Sequence, residues 1–238
     1  MASTVTVNQT LHWLTAFIVQ RPTTNVGGFA NEPALTTANK ILQTILGPPF
    51  KWAWNREETT FDTVAGQTDY QVAISNFGYL EKATVFLADA DPPLRELEVY
   101  QVLAKDGKNN PPQRIAPILE DGSGNITFRI FPPPDDVYTV TPTIQKGAPL
   151  LTDLAGTWSP VPDRYGYLYE QGMLGMLQGM YSAQLYVANM EMFFRQLVGA
   201  CEALTETERA IFLEDRLRDV RAGLNATIGT QQGRAARF

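Results

Sequence analysis

The segment from Phe61 to Pro149 alternates apolar and polar residues between turns rich in proline, glycine and aspartate, whereas the chain on either side repeats its apolar residues every three to four positions. A period of two cannot be laid on a helix, nor a period of 3.6 on a strand. The chain therefore has to fold as a β-unit inserted into a helical body. The resulting fold class is α+β: a helical bundle built from both ends of the chain, an inserted antiparallel β-sandwich or small barrel, and an extended C-terminal tail. The expected divisions are 1–55 and 151–225 for the two parts of the helical domain, 56–150 for the β-domain and 226–238 for the tail.

Leu11, Leu14, Phe17 and Ile18 set a first helix over about Asn8 to Gln20, before Pro22. A second starts after Asn31-Glu32-Pro33, carries Leu35, Ala38, Leu42 and Ile45 on one face, and closes at Gly47-Pro48-Pro49. Around Trp52 and Trp54 the pattern becomes extended. Strands are expected at Tyr70 to Ile74, Tyr79 to Leu87, Arg95 to Val99, Gln113 to Leu119, Asn125 to Phe131 and Tyr138 to Lys146. Pro132-Pro133-Pro134 cannot donate backbone hydrogen bonds, so it is expected to end a strand at an exposed edge rather than cross a sheet.

Beyond the Gly156 to Asp163 linker, a helix over about Asp163 to Gln184 brings Gly172, Gly175 and Gly179 near one face, a spacing that permits close helix approach. A second helical region spans about Ala188 to Ala203. Thr205-Glu206-Thr207-Glu208 has capping-box spacing for a third, amphipathic helix ending near Gly223. The last ten residues, with Arg234, Arg237 and Phe238, carry two positive charges and no core pattern; free in solution they are expected to lack fixed structure.

Chemistry is hard to find in this sequence. His12 is the only histidine and Cys201 the only cysteine, so an intramolecular disulfide and a Cys/His zinc site are both excluded. His12 stands in a helix with no nucleophile in its context, and Cys201 ends an apolar helical run suited to a small buried hydrophobe. Asp135-Asp136, Asp89 with Asp91, and Glu57-Glu58 lack the spacing of an EF-hand or a glycosidase pair and read as solvated loop carboxylates. Gly27-Gly28 and Gly122-Ser123-Gly124 lack the Gly-Lys-Ser/Thr that would follow in a phosphate loop. The aromatic pairs Trp52/Trp54 and Phe193/Phe194 are assigned to the core. No catalytic residue, metal or cofactor is expected.

With 19 Lys and Arg against 25 Asp and Glu, the net charge of −6 does not suit a protein that wraps a polyanion. The N-terminus lacks a basic region followed by an apolar core, so export by the general route is not expected. Polar residues interrupt Tyr165 to Phe194 too often for a membrane span.

Two signatures bracket the β-segment: Phe61, Gly66, Gln67 and Tyr70 at its start, then Ile130, Pro132, Pro134, Asp135 and Tyr138 near its end, followed by Pro160, Pro162 and Tyr165. In this order, between two short N-terminal helices and a C-terminal helical region, they resemble the head-to-tail adaptor proteins of tailed bacteriophages, in particular the tail tubular protein A or portal adaptor group. The resemblance runs from about residue 8 to 222 and departs from the usual pattern over Ala188 to Gly223. It implies a structural virion protein of the neck or tail, assembled in the host cytoplasm. It also implies a homo-oligomeric ring, commonly twelve-fold, docked between the portal and the tail nozzle or tube, with double-stranded DNA passing through without sequence-specific contact. Such a ring would extend the channel, retain the genome and release it. In that setting Gly172, Gly175 and Gly179 are expected to pack the ring, and Arg234, Arg237 and Phe238 to dock the tail on the portal. A carbohydrate-binding or receptor-contacting β-sandwich is the alternative from another functional class.

Overall fold

The segments that alternate in sequence form strands, with the cleanest alternation of burial over residues 69–73 and 125–131. In a computed structural model, which describes residues 3–17, 31–87, 95–179 and 182–235 (backbone only for 87 and 223–235), the β-unit contains strands β1 (Arg56–Glu58), β2 (Phe61–Asp62), β3 (Asp69–Ala73), β4 (Phe77–Leu87), β5 (Arg95–Val99), β6 (Arg114–Glu120), β7 (Asn125–Phe131) and β8 (Tyr138–Lys146). They form one curled sheet, a half-barrel, in the order β1-β8-β4-β5-β6-β7-β3, with β2 paired to β8. The described pairings are antiparallel except β5 with β6, which run parallel because residues 100–113 carry the chain back before β6 begins.

Burial follows the pleat. Along β7, Ile126, Phe128 and Ile130 point inward, each at most 1% exposed, while their neighbours lie half-buried on the other face. Tyr70 and Val72 of β3, Leu80, Ala83 and Val85 of β4, Ile115 of β6, and Tyr138, Val140 and Ile144 of β8 complete this core. Each fully buried aliphatic or aromatic side chain contributes about 1.5–3 kcal/mol relative to exposure.

The helical unit comprises Met1–Ile45 and Pro149–Phe238, the β-unit Leu46–Ala148. Its helices are α1 (Val7–Leu14), α2 (Ala34–Leu46), α3 (Gly166–Gln178), α4 (Ala183–Ala200) and α5 (Glu206–Ala235). Thr6 starts α1 through a full capping box with Gln9. The strand-like lead before it is tied to the Leu154 to Trp158 linker, with Val7 N–H donating to Gly156 O at 3.0 Å and Trp158 N–H to Val5 O at 3.1 Å. Trp158 is fully buried, stacks on Tyr169 of α3 at 4.5 Å, and donates its indole N–H to Thr10 Oγ1 at 2.9 Å.

Four expectations about boundaries change. The described part of the first helix stops at Leu14 and continues as a turn to Phe17; residues 18–20 of the expected helix lie outside the described residues. Ala53–Asn55 is a 3-10 turn rather than extended chain, because Trp52 and Trp54 stack at 5.3 Å with Trp52 buried. The helix expected to run to Gln184 ends at Gln178, and α4 begins afresh with the Ser182 hydroxyl accepting from Leu185 N–H at 3.3 Å. Finally, α5 does not end near Gly223: its backbone remains helical through Ala235, so most of the expected extended tail is helix.

Candidate functional site

The two sequence signatures, some sixty residues apart, are brought into one corner of the β-unit. Gly66 adopts φ +79°, a left-handed conformation natural to glycine, and its N–H donates to Pro134 O at 2.8 Å. That conformation completes the turn in which Gln67 N–H donates to Val64 O at 3.0 Å. The Tyr70 hydroxyl then locks the turn from below, donating to Gln67 O at 2.7 Å while accepting from Val64 N–H at 3.1 Å. Burial pushes the Tyr70 phenol above its ordinary pKa.

Thr63 links this turn to the second signature. Its N–H donates to Tyr138 O at 2.8 Å, its hydroxyl to Asp136 O at 3.1 Å, and its Oγ1 accepts Tyr138 N–H at 2.8 Å. Ile130 N–H donates to Thr68 O at 2.9 Å. Phe61 stacks on Tyr70 at 5.1 Å and on Phe128 at 6.1 Å, so the first residue of one signature reaches the core strand that feeds the other. Pro132, Pro133 and Pro134 are all buried, so the run ends β7 in a covered corner and not at the exposed edge expected of it, and Pro133 O accepts Asn110 N–H at 2.9 Å. Asp69 and Arg129 brace it with a two-pronged ion pair at 2.7 and 2.9 Å. The Arg129 hydrogen bonds hold the Asp69 carboxyl below its ordinary range.

The carboxylates weighed as catalytic are committed to this framework. Asp135 accepts the Tyr138 hydroxyl at 2.8 Å, and Asp136 accepts Val137 N–H at 2.8 Å. Glu57 pairs with Lys146, and Glu58 accepts the Thr143 hydroxyl at 3.3 Å. Asp89 and Asp91 lie outside the described residues. Among the described residues, no three of His, Cys, Asp or Glu gather as a metal ion would require. His12 is exposed on α1, and Cys201 is buried as a free thiol.

At the other end of the β-unit lies a buried polar link with no distinctive sequence pattern. Gln145 of β8 is fully buried, accepts Trp52 N–H at 3.1 Å and donates to Trp52 O at 3.2 Å and Glu81 Oε2 at 2.7 Å. Arg56 clasps the same Glu81 carboxylate from β1. Burial works against the charge on Glu81, but the Arg56 and Gln145 hydrogen bonds outweigh it and hold the carboxyl below its ordinary range.

The glycine face of α3 has an occupant within the chain. A Cβ on Gly172 would meet Ile41 Cδ1 of α2 at 2.7 Å and Phe193 of α4 at 3.2 Å. One on Gly175 would meet Met190 Sδ at 2.9 Å, and one on Gly179 the Tyr186 ring at 2.7 Å. These residues allow α2 and α4 to approach α3 within the chain. Of the expected portal-docking residues, Arg237 and Phe238 lie outside the described residues, and Arg234 lies on the last turn of α5.

The corner braces the β-unit, and the glycine face of α3 holds the helices of the helical unit together. The SU10 adaptor protein family model matches residues 34–221, spanning α2, the whole sheet and the helices through about the first half of α5. The chain belongs to the SU10 adaptor protein family. This is a family of bacteriophage head-to-tail adaptors, structural proteins rather than enzymes. No individually curated protein matches the sequence. Family membership associates the adaptor with portal and tail components at the neck or tail of the virion. No described helix is long and apolar enough to cross a membrane. The resemblance read from the two signatures thus holds for the family, and the signatures themselves are the adaptor's internal bracing.

Proposed function

We propose that the adaptor forms a ring between portal and tail that extends the DNA channel, retains the packaged genome and delivers it at ejection. The observation that carries this reading is the family match, which takes in helices and sheet together rather than one portable module. Two features support it. The net charge of −6 suits a channel through which DNA slides without adhering. The C-terminal end is cationic, with Arg234 on the last turn of a helix that persists to Ala235 and Arg237 with Phe238 after it in the sequence, and positive charge at that turn complements the helix dipole. On this reading the helical unit supplies the ring and the portal contacts, Arg234, Arg237 and Phe238 dock on the portal, and the β-unit faces the next tail component. The ring is expected to be twelve-fold and to assemble in the host cytoplasm.

Electron microscopy of the full chain mixed with its portal tests the reading. Rings or an extended connector are expected, and persistent monomers that never join the portal would overturn it. Removing residues 229–238 is expected to weaken docking and leave the circular dichroism spectrum near that of the full chain. Undiminished docking would remove the role of the C-terminal end while leaving the ring reading in place.

A further inference from the structure

Helix α4 is apolar on both sides, although it has only one side to bury. Met190, Phe193, Phe194, Leu197 and Val198 fill its inner face. Its outer face carries Leu185 (49% exposed), Ala188, Met192 (51%), Arg195 and Gly199, separated by three or four residues as one stripe. In eighteen residues the helix has two charges: Glu191, committed to Arg221 of α5 at 2.7 Å, and Arg195. A surface helix normally sets a charged face toward water, and one that is apolar all round is covered. Arg195 has no partner among the described residues.

A second exposed face carries the opposite charge in the same arrangement. On α5, Ile211 is 58% exposed, and one turn on stands Glu214, also exposed and without a partner among the described residues. Met192 precedes Arg195 by three residues as Ile211 precedes Glu214. Each pair therefore sets an apolar group and a charge about 4.5 Å apart along its axis.

Resting on the ring reading above, we propose that the outer face of α4, with Leu185, Ala188, Met192 and Arg195, receives the Ile211 and Glu214 face of α5 from a second copy of this chain. Met192 meets Ile211, and Arg195 pairs with Glu214. Because the two faces differ, every copy in such a contact keeps one face of each kind to offer, which is the head-to-tail contact that a cyclic ring requires. Opposite charges beside an apolar centre fix the register and reject the reversed pairing.

Charge reversal on the full chain tests this, with assembly followed by light scattering and native mass spectrometry and with the wild type compared with and without portal. Arg195→Glu and Glu214→Arg are each expected to raise the half-assembly concentration roughly tenfold or more, and the double variant to return it to within a few-fold of wild type. Both positions are exposed, so unchanged thermal melts are the control for folding. If wild type forms rings and the single variants form them equally well, the assigned face is overturned and the ring reading stands. Loss in the single variants without recovery in the double overturns the Arg195–Glu214 pairing. Wild type that assembles neither alone nor with portal overturns the ring reading and this contact with it.

Discussion

The Tyr138 hydroxyl donates to the Asp135 carboxylate at 2.8 Å, closing the corner that joins β7 to β8 over the buried rings of Pro132 and Pro134. Burial, and then the hydrogen bond to Asp135, push the Tyr138 phenol up to about 12 from an ordinary 10.0. The residue that looks most like part of an acidic catalytic pair is thus an anchor for a turn.

The shift makes a statement about alkaline stability. Between pH 10 and about 12 the unfolded phenol loses its proton while the folded one keeps it, so the unfolded state binds fewer protons and stability falls as pH rises. Urea titrations should show an extra loss of up to about 1.4 kcal/mol per pH unit across that window. Tyr138→Phe should abolish this component. At neutral pH it should cost about 1 kcal/mol, lowering Tm by about 2–4 °C.

Asp69 works in the opposite direction. Its pairing with Arg129 depresses the folded pKa below 3.8, so the stability it confers is present above that value and is lost as pH falls through the folded pKa. Asp69→Asn should destabilise at pH 7 by about 1–2 kcal/mol and flatten the acid limb of the stability profile below pH 4. An acid limb parallel to wild type would assign that limb to other carboxylates.

Gly172 and Gly199 should respond to alanine with opposite signs. Alanine gains about 1 kcal/mol over glycine inside a helix. At Gly172 the new methyl would press on Ile41 and Phe193, an overpacking cost of about 1–3 kcal/mol that exceeds the gain. At Gly199 nothing lies within 4 Å, so about 0.5–1 kcal/mol of the gain should survive. Thermal denaturation of the two variants side by side decides the matter.

Gln145→Leu keeps the volume and removes the polar link. It removes the acceptor that Gln145 offers the Trp52 N–H, one contact of Glu81, and one of two donors to the Trp52 C=O, which keeps the Asn55 N–H at 3.0 Å. A loss of about 2–3 kcal/mol in urea unfolding is expected, larger than for any exposed ion pair here.

Strands were legible from the sequence where local chemistry sets them. β5, β7 and β8 begin and end where alternation and turn residues place them, since side chains alternate along a pleat and clusters of proline, glycine and aspartate favour turns between strands. The Thr205 capping box was equally readable: Thr205 Oγ1 accepts Glu208 N–H at 3.2 Å, and Glu208 returns to Thr205 N–H at 2.8 Å. The break before Ser182 was not, because apolar periodicity runs through it. Nor was the continuation of α5 past Gly223, where each glycine argues locally for an end.

By itself, then, the sequence determined the α+β class, most strand positions and the adaptor family, because these follow from periodicity, turn chemistry and short signatures along the chain. Only the tertiary structure decided what those signatures do. Gly66 and Pro134, or Thr63 and Tyr138, become partners through folding across some seventy residues, and strand direction in β5 and β6 depends on how residues 100–113 return the chain. It also turned the α3 glycines inward to α2 and α4 and left the stripe from Leu185 to Arg195 facing out. Helical spacing names a face, but which neighbour fills that face is settled by packing in three dimensions.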